Sequence, residues 1–117
     1  MGRGKDYRLE FLADLDRQQK SSNNMVVKIR FEWSLAKAES NLRKHRVSFD
    51  SAALVFSDPF AVAEQDRIED GELRWQTLGM AGSFMLLVVA HTIRNEEDGT
   101  EIVRIISARR AERKEAL

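Results

Sequence analysis

Phe84-Met85-Leu86-Leu87-Val88-Val89-Ala90 has no polar side chain at either odd or even positions. Successive residues of a strand point to opposite faces, so a run that is apolar on both belongs inside a sheet covered on both sides. At seven residues it is far too short to span a bilayer. The flanking sequence agrees. Upstream, Glu72 to Leu78 alternates, with Leu73, Trp75 and Thr77 on one face and Glu72, Arg74 and Gln76 on the other. Asp70-Gly71 before it is a two-residue hairpin signal, and Gly79 to Gly82 supplies the next turn. Phe60 to Gln65 reads as a weaker strand. Downstream, Asp98-Gly99 turns the chain into a strand from Glu101 to Ser107, and a short helix is expected from Ala108 to the end.

The first half has helical periodicity. After a short strand, Val26 to Phe31, Ser34 is placed to cap a helix reaching about His45. Leu35, Ala38 and Leu42 are expected to form its buried stripe, with Lys37, Asn41 and Lys44 beside it on a polar one. Ser48 caps a second helix, and Val47 is placed to staple onto Ala52. Phe49, Ala52, Ala53 and Phe56 keep helical spacing until Asp58-Pro59, where proline disfavours helix in the residue before it. Residues 1–20 read as a separate amphipathic helix with Phe11, Leu12 and Leu15 on one side. Ser21-Ser22-Asn23-Asn24 breaks it, and Met25 opens the core domain. The expectation is an α+β domain over residues 25–117, in the order β-α-α-β-β-β-β-α. Two N-terminal helices pack on a small antiparallel sheet of four to five strands, with residues 1–24 as an extension outside the core.

The chain has 117 residues, 43% of them hydrophobic and 32% charged, which fits one ordinary soluble domain. It has no cysteine, which excludes disulfides, zinc–thiolate sites and thiol catalysis and fits a reducing cytoplasm. The N-terminus lacks the apolar core of a secretory signal. Nineteen basic residues balance nineteen acidic ones, but unevenly along the chain. Arg104, Arg109, Arg110, Arg113 and Lys114 crowd the last strand and its sequel against Glu112. Glu64, Asp66, Glu69, Asp70 and Glu72 crowd the hairpin against Arg67. A basic face and an acidic face, each with its own partner, is one reading. Ordinary solvated surface is the other.

An apolar strand with an arginine at its centre and two where it ends suggests a local anion site, because a guanidinium keeps its charge and needs a partner. His91 follows the central apolar run, and Arg74 lies on the polar face of its neighbour. Antiparallel pairing can bring Arg74, His91, Arg104 and Arg109 together. Such a group suits metal-free RNA cleavage. A base must take the proton of the 2′-hydroxyl and an acid must protonate the leaving 5′-oxygen; a histidine can do either, and arginines hold the extra negative charge at phosphorus. The alternatives are structural: His91 satisfied by a backbone carbonyl at a strand end, and Arg104 paired with an acid on a neighbouring strand. His45 and His91 are the sole histidines and have no acids at ligand spacing, so neither a metal nor another cofactor is expected.

Phe31-Glu32-Trp33, then Lys37, Asn41, Lys44-His45 and Val47-Ser48-Phe49, resembles the opening of the BrnT family of toxins. The resemblance continues through Ala52-Ala53, Val55-Phe56, Asp58-Pro59, Arg74-Trp75, Leu78-Gly79, Val88-Val89 and His91-Thr92. It closes with Arg104-Ile105-Ile106-Ser107-Ala108-Arg109-Arg110-Ala111, and covers about residues 29–112. It implies a RelE-like fold and a ribonuclease toxin of a bacterial type II toxin–antitoxin module. The implied antitoxin is BrnA-like, with a ribbon-helix-helix DNA-binding domain. The toxin would meet RNA as substrate, DNA only indirectly through that antitoxin, and no membrane. His91, Arg74, Arg104 and Arg109 are then the candidate catalytic residues, and Lys37, Lys44 and Arg110 the candidate RNA contacts. A non-catalytic module that only pairs with such a partner is the competing reading. Two positions depart from the pattern: Ser34 stands where an acid is usual, and Arg46 where glycine usually follows Lys-His.

Overall fold

The computed structural model describes residues 28–116 and the backbone of 9–18 and 26–27. Its order is β1 (Leu9–Gln18), β2 (Val26–Trp33), α1 (Leu35–His45), α2 (Phe49–Leu54), β3 (Val62–Glu69), β4 (Glu72–Ala81), β5 (Met85–Asn95) and β6 (Glu101–Arg110). Short 3-10 turns follow α2 (Val55–Ser57) and β6 (Arg113–Ala116). The strands lie side by side as β1-β2-β6-β5-β4-β3. The apolar run is central as expected, with β6 on one side of β5 and β4 on the other, but only one of its faces is covered by helices: Leu87 and Val89 are fully buried there, while Leu86 and Ala90 on the other face are partly exposed.

The fold is α+β, with three departures from the expected detail. The sheet is mixed, because β2 joins β6 in parallel, Phe31 beside Val103 and Glu32 beside Arg104. The N-terminal stretch is strand rather than helix: Leu9–Gln18 pairs antiparallel with the outer edge of β2, where ladder hydrogen bonds override its helical spacing. The break expected at Ser21-Ser22-Asn23-Asn24 and the domain start at Met25 lie outside the described residues. Last, β6 runs on to Arg110, and a 3-10 turn stands where a helix from Ala108 was expected.

Cross-strand partners share a face, so the register sorts the side chains. Trp75, His91 and Ile105 form one row, and Thr77 and Val89 another on the same face. This face carries the core: Ile29, Phe31, Trp33, Leu87, Val89, Val103, Ile105 and Ala108 pack against Val47, Phe49, Ala52, Ala53, Val55 and Phe56. Both helices begin on serines, as read from the sequence. Ser34 accepts from the Lys37 amide at 3.2 Å and Ser48 from the Ser51 amide at 3.0 Å. The inner stripe of α1 differs. Leu35 and Leu42 are half exposed, and the helix turns Ala38 and Asn41 inward. Asn41 donates to the carbonyls of Val47 (2.9 Å) and Ala108 (2.8 Å) and accepts from the Ala108 amide at 3.0 Å. One amide side chain thus ties α1, the interhelical turn and β6 together. Arg46 ends α1 in the left-handed conformation, φ 59°, with its N–H on the Leu42 carbonyl.

Gly79 is a strand residue rather than part of the turn. A Cβ there would come within 2.8 Å of Val55 and 3.0 Å of Ala61. The missing side chain lets β4 approach the Val55–Ala61 segment. Asp58 fixes that approach by accepting from the amides of Phe60 (2.9 Å) and Met80 (2.8 Å). These two bonds hold its carboxyl below the usual range.

Candidate active site

The sheet's other face carries no helix among the described residues, and arginines gather there. Arg104 pairs across β5 with Thr92, and Arg109 with Val88. Strict alternation would put residues 104 and 109 on opposite faces. A β-bulge corrects this: Ile105 faces His91 and Ser107 faces Ala90, so Ile106 is the extra residue and the parity of β6 changes after it. Arg74 shares this face, being in step with Gln76 and Leu78 across from Ala90 and Val88.

Each arginine meets carboxylates. Arg104 Nη2 donates to Glu72 Oε1 at 2.6 Å. Arg109 grips Glu115 with both terminal nitrogens, at 2.9 and 2.8 Å. The 3-10 turn delivers Glu115, which also accepts from the Glu112 amide at 2.6 Å. This clamp pushes the Glu115 carboxyl down to about 2, with the Arg109 hydrogen bonds as the main cause. Arg74 is looser, 3.9 Å from Glu69 and 4.0 Å from Glu72, and its buried Nε has no hydrogen-bond partner among the described residues. Arg94 and Glu32, 2.8 Å apart, extend the band. Arg30 joins it by register, beside Ile102. Beside the clamp, Val62, Glu64, Gln76, Leu78, Val88 and Glu115 line a shallow groove of about 210 Å³.

His91 lies on the opposite face. It is 1% exposed, its ring edge-on to Phe56 with centroids 4.9 Å apart. Nε2 sits 2.7 Å from the Thr77 hydroxyl and Nδ1 3.3 Å from the Thr92 carbonyl. A neutral ring satisfies both, with Nδ1–H donating and Nε2 accepting. Burial pulls its pKa down to about 4. The expected convergence of His91 with Arg74, Arg104 and Arg109 therefore does not occur. The arginines share one face, and the histidine is in the core behind it. The structural alternatives hold in kind but not in place: His91 has a backbone carbonyl, in mid-strand rather than at a strand end, and Arg104 has an acid, two strands away on β4 rather than on a neighbouring strand. Lys37, Lys44 and Arg110 are exposed. Arg110, paired with Leu87, leaves the sheet on the helix side, away from Arg109.

Sequence reading missed Glu72 and Glu115 as arginine partners, Arg30 and Arg94 as neighbours, and Asn41 as the tie to β6. The even spacing of Glu72 and Arg74 carried part of that signal. The parallel β2–β6 pairing that adds Arg30 and Glu32 left none.

The family model of BrnT, ribonuclease toxin of type II toxin–antitoxin systems, matches residues 33–115. The chain belongs to this family. The match runs from the end of β2 to the turn carrying Glu115, so it includes both helices and every arginine of the open face except Arg30. Among solved structures, the chain is similar to the Brucella abortus ribonuclease toxin BrnT, with 19% identity and a TM-score of 0.49, covering 69% of this chain and 94% of that one. No curated protein sequence matches it significantly. As a BrnT toxin it is a type II module component with an antitoxin partner and, at family level, an endoribonuclease. Among the described residues, no helix is long and apolar enough to cross a membrane.

Proposed function

We propose that this BrnT chain is itself an active endoribonuclease, and that it binds the RNA backbone on the open face of its sheet through Arg74, Arg104 and Arg109. The observation that carries the reading is the buried Nε of Arg74, without a hydrogen-bond partner among the described residues, on the face that also holds Arg104. An unmet buried donor costs about 1–3 kcal/mol, and a phosphate oxygen would satisfy it once the Arg74 side chain, only partly exposed in the free protein, turns outward. RNA phosphates exchange for the carboxylates of Glu72 and Glu115, which stand in the arginine forks in the free protein. Cleavage proceeds by attack of the 2′-hydroxyl on the adjacent phosphorus, which forms a 2′,3′-cyclic phosphate as the bond from phosphorus to the 5′-oxygen breaks; water takes the hydroxyl proton and returns one to the departing 5′-oxygen, and the guanidinium groups hold the added charge.

In this reading His91 supports the site from behind through Thr77 and Phe56, and its neutral, enclosed ring makes no contact with substrate. Lys37, Lys44 and Arg110 make weaker backbone contacts where longer RNA wraps the helix side. Residues 25–117 form the toxin domain and 1–24 an extension to it. The partner is a BrnA-like antitoxin with a ribbon-helix-helix domain, and DNA is reached only through it, in the cytoplasm.

The test is cleavage of a labelled RNA in EDTA. Wild-type protein cuts, Arg104→Ala loses about 10²–10³-fold of the rate, and His91→Gln, while folded, keeps most of it. Unchanged cutting by a folded Arg74→Ala/Arg104→Ala double variant would overturn the site. No cutting by wild-type protein freed of its antitoxin would favour the non-catalytic alternative.

A further inference from the structure

The last strand of the sheet has an open side. β3 pairs with β4 on one edge and with no other described strand on the second, and Val62 to Glu69 are exposed throughout. Its outer backbone groups form a template for another strand. The surroundings are polarised. At the end where β3 begins, Phe60 and Phe84 are 84% and 94% exposed. Both belong to turns at that end. Asp58 binds the Phe60 and Met80 amides, and Phe84 follows the turn that leaves Ala81. At the other end Asp66, Glu69 and Asp70 stand against Arg67, which is already paired with Glu69 at 3.2 Å.

We propose that the outer edge of β3 is the docking strand for an extended, cationic segment of the antitoxin. The segment adds a strand along Val62–Gln65, sets apolar side chains against Phe60 and Phe84, and places lysine or arginine against Asp66, Glu69 and Asp70. Charge selects this occupant over a second copy of the chain. A second copy brings no cation to the acidic end: two β3 edges laid antiparallel over Val62–Gln65 set Ala63 against Glu64 and carry Asp66, Glu69 and Asp70 of each copy to the aromatic end of the other. The bulge after Gln65 breaks the edge at the acidic end, so continuous pairing is confined to the aromatic end. Nothing here needs the arginine face, so docking at β3 leaves that face available to a second element of the same partner. The inference rests on the reading of this chain as a toxin with a protein antitoxin.

The test uses the complex of this chain with its antitoxin. In it, the outward amides of Val62–Gln65 should exchange at least ten times more slowly than in the free protein. Asp66→Lys combined with Phe84→Ser should weaken the complex at least tenfold while free RNA cleavage is unchanged. Affinity should fall as salt rises. Absence of any complex would sink the antitoxin reading and this surface with it. A tight complex in which the variant binds like wild type and β3 amides stay fast would sink the surface alone. Concentration-dependent dimers abolished by Phe84→Ser would reassign the edge to a second copy.

Discussion

Arg104 on β6 reaches over β5 to hold Glu72 at the start of β4, with 2.6 Å between nitrogen and oxygen. Both side chains are partly exposed, so the pair adds at most about 1 kcal/mol to stability. In the site proposed above its weight is on ligand binding, because the carboxylate occupies the fork that a phosphate would need. Glu72→Gln should leave the melting temperature within a few degrees of wild type and tighten a short RNA several-fold in fluorescence anisotropy at low salt. Loss of cleavage with RNA binding retained would instead give Glu72 a part in the chemistry.

Thr77 and His91 make the opposite kind of pair, dry and behind the site. The folded ring takes its proton only near pH 4, whereas an unfolded chain takes it near 6.5. The unfolded state therefore binds more protons between those values. The stability this provides is complete above about pH 6.5 and is lost as pH falls towards 4, by about 3 kcal/mol in total. Urea unfolding at pH 7, 5.5 and 4 should show that slope, and His91→Gln should flatten it. His91→Ala should cost about 2–4 kcal/mol at pH 7 through the cavity and the stranded Thr77 hydroxyl.

Asn41 is the residue most exposed to misreading from sequence, since it lies among lysines on α1. Asn41→Ala removes three buried hydrogen bonds and leaves the Val47 carbonyl and both Ala108 backbone groups without that partner. A loss of about 3 kcal/mol is expected by denaturant titration. Asn41→Asp should be no better, because it discards both donors and buries a charge.

Arg46 holds a left-handed conformation that costs a residue with a Cβ about 1–2 kcal/mol. Arg46→Gly relieves it and loosens the unfolded chain by a smaller amount. A net gain of about 0.5–1 kcal/mol should appear as a melting temperature several degrees higher in calorimetry. An unchanged or lower value would mean that the arginine side chain compensates.

Glu115 covers the Arg109 fork from the 3-10 turn that follows β6. Glu115→Gln should free that guanidinium and raise RNA affinity several-fold in the same anisotropy assay. The contact itself is complete above pH 4.5 and weakens as pH falls towards 2, which carboxyl chemical shifts can follow.

Local chemistry was legible where one residue decides a local geometry. Ser34 and Ser48 cap helices, Asp70-Gly71 turns a hairpin at φ 54° and 79°, and Phe84 to Ala90 announces an interior strand, although Phe84 itself is left in water. What stayed hidden depends on partners distant in sequence. The edge of β2 captures Leu9–Gln18 as strand, and parallel pairing sets Glu32 beside Arg104. The bulge at Ile106 had the largest effect. One residue inserted into a uniformly apolar stretch leaves no mark in hydropathy, yet it moves Arg109 to the face of Arg104 and sends Arg110 to the other. The candidate arginines were legible as a group and their separation from His91 was not, because that follows from register alone.

The parallel contact between β2 and β6 also has a consequence for synthesis. β6 supplies Arg104, Arg109 and the backbone that Asn41 holds, and it is the last strand of the described sheet to be translated. Until residues 101–110 clear the exit tunnel, a nascent chain has its helices and the β3–β4–β5 meander but no joined sheet. The arginine face therefore lacks Arg104 and Arg109 until β6 is made, whereas β3 and β4 are translated before it.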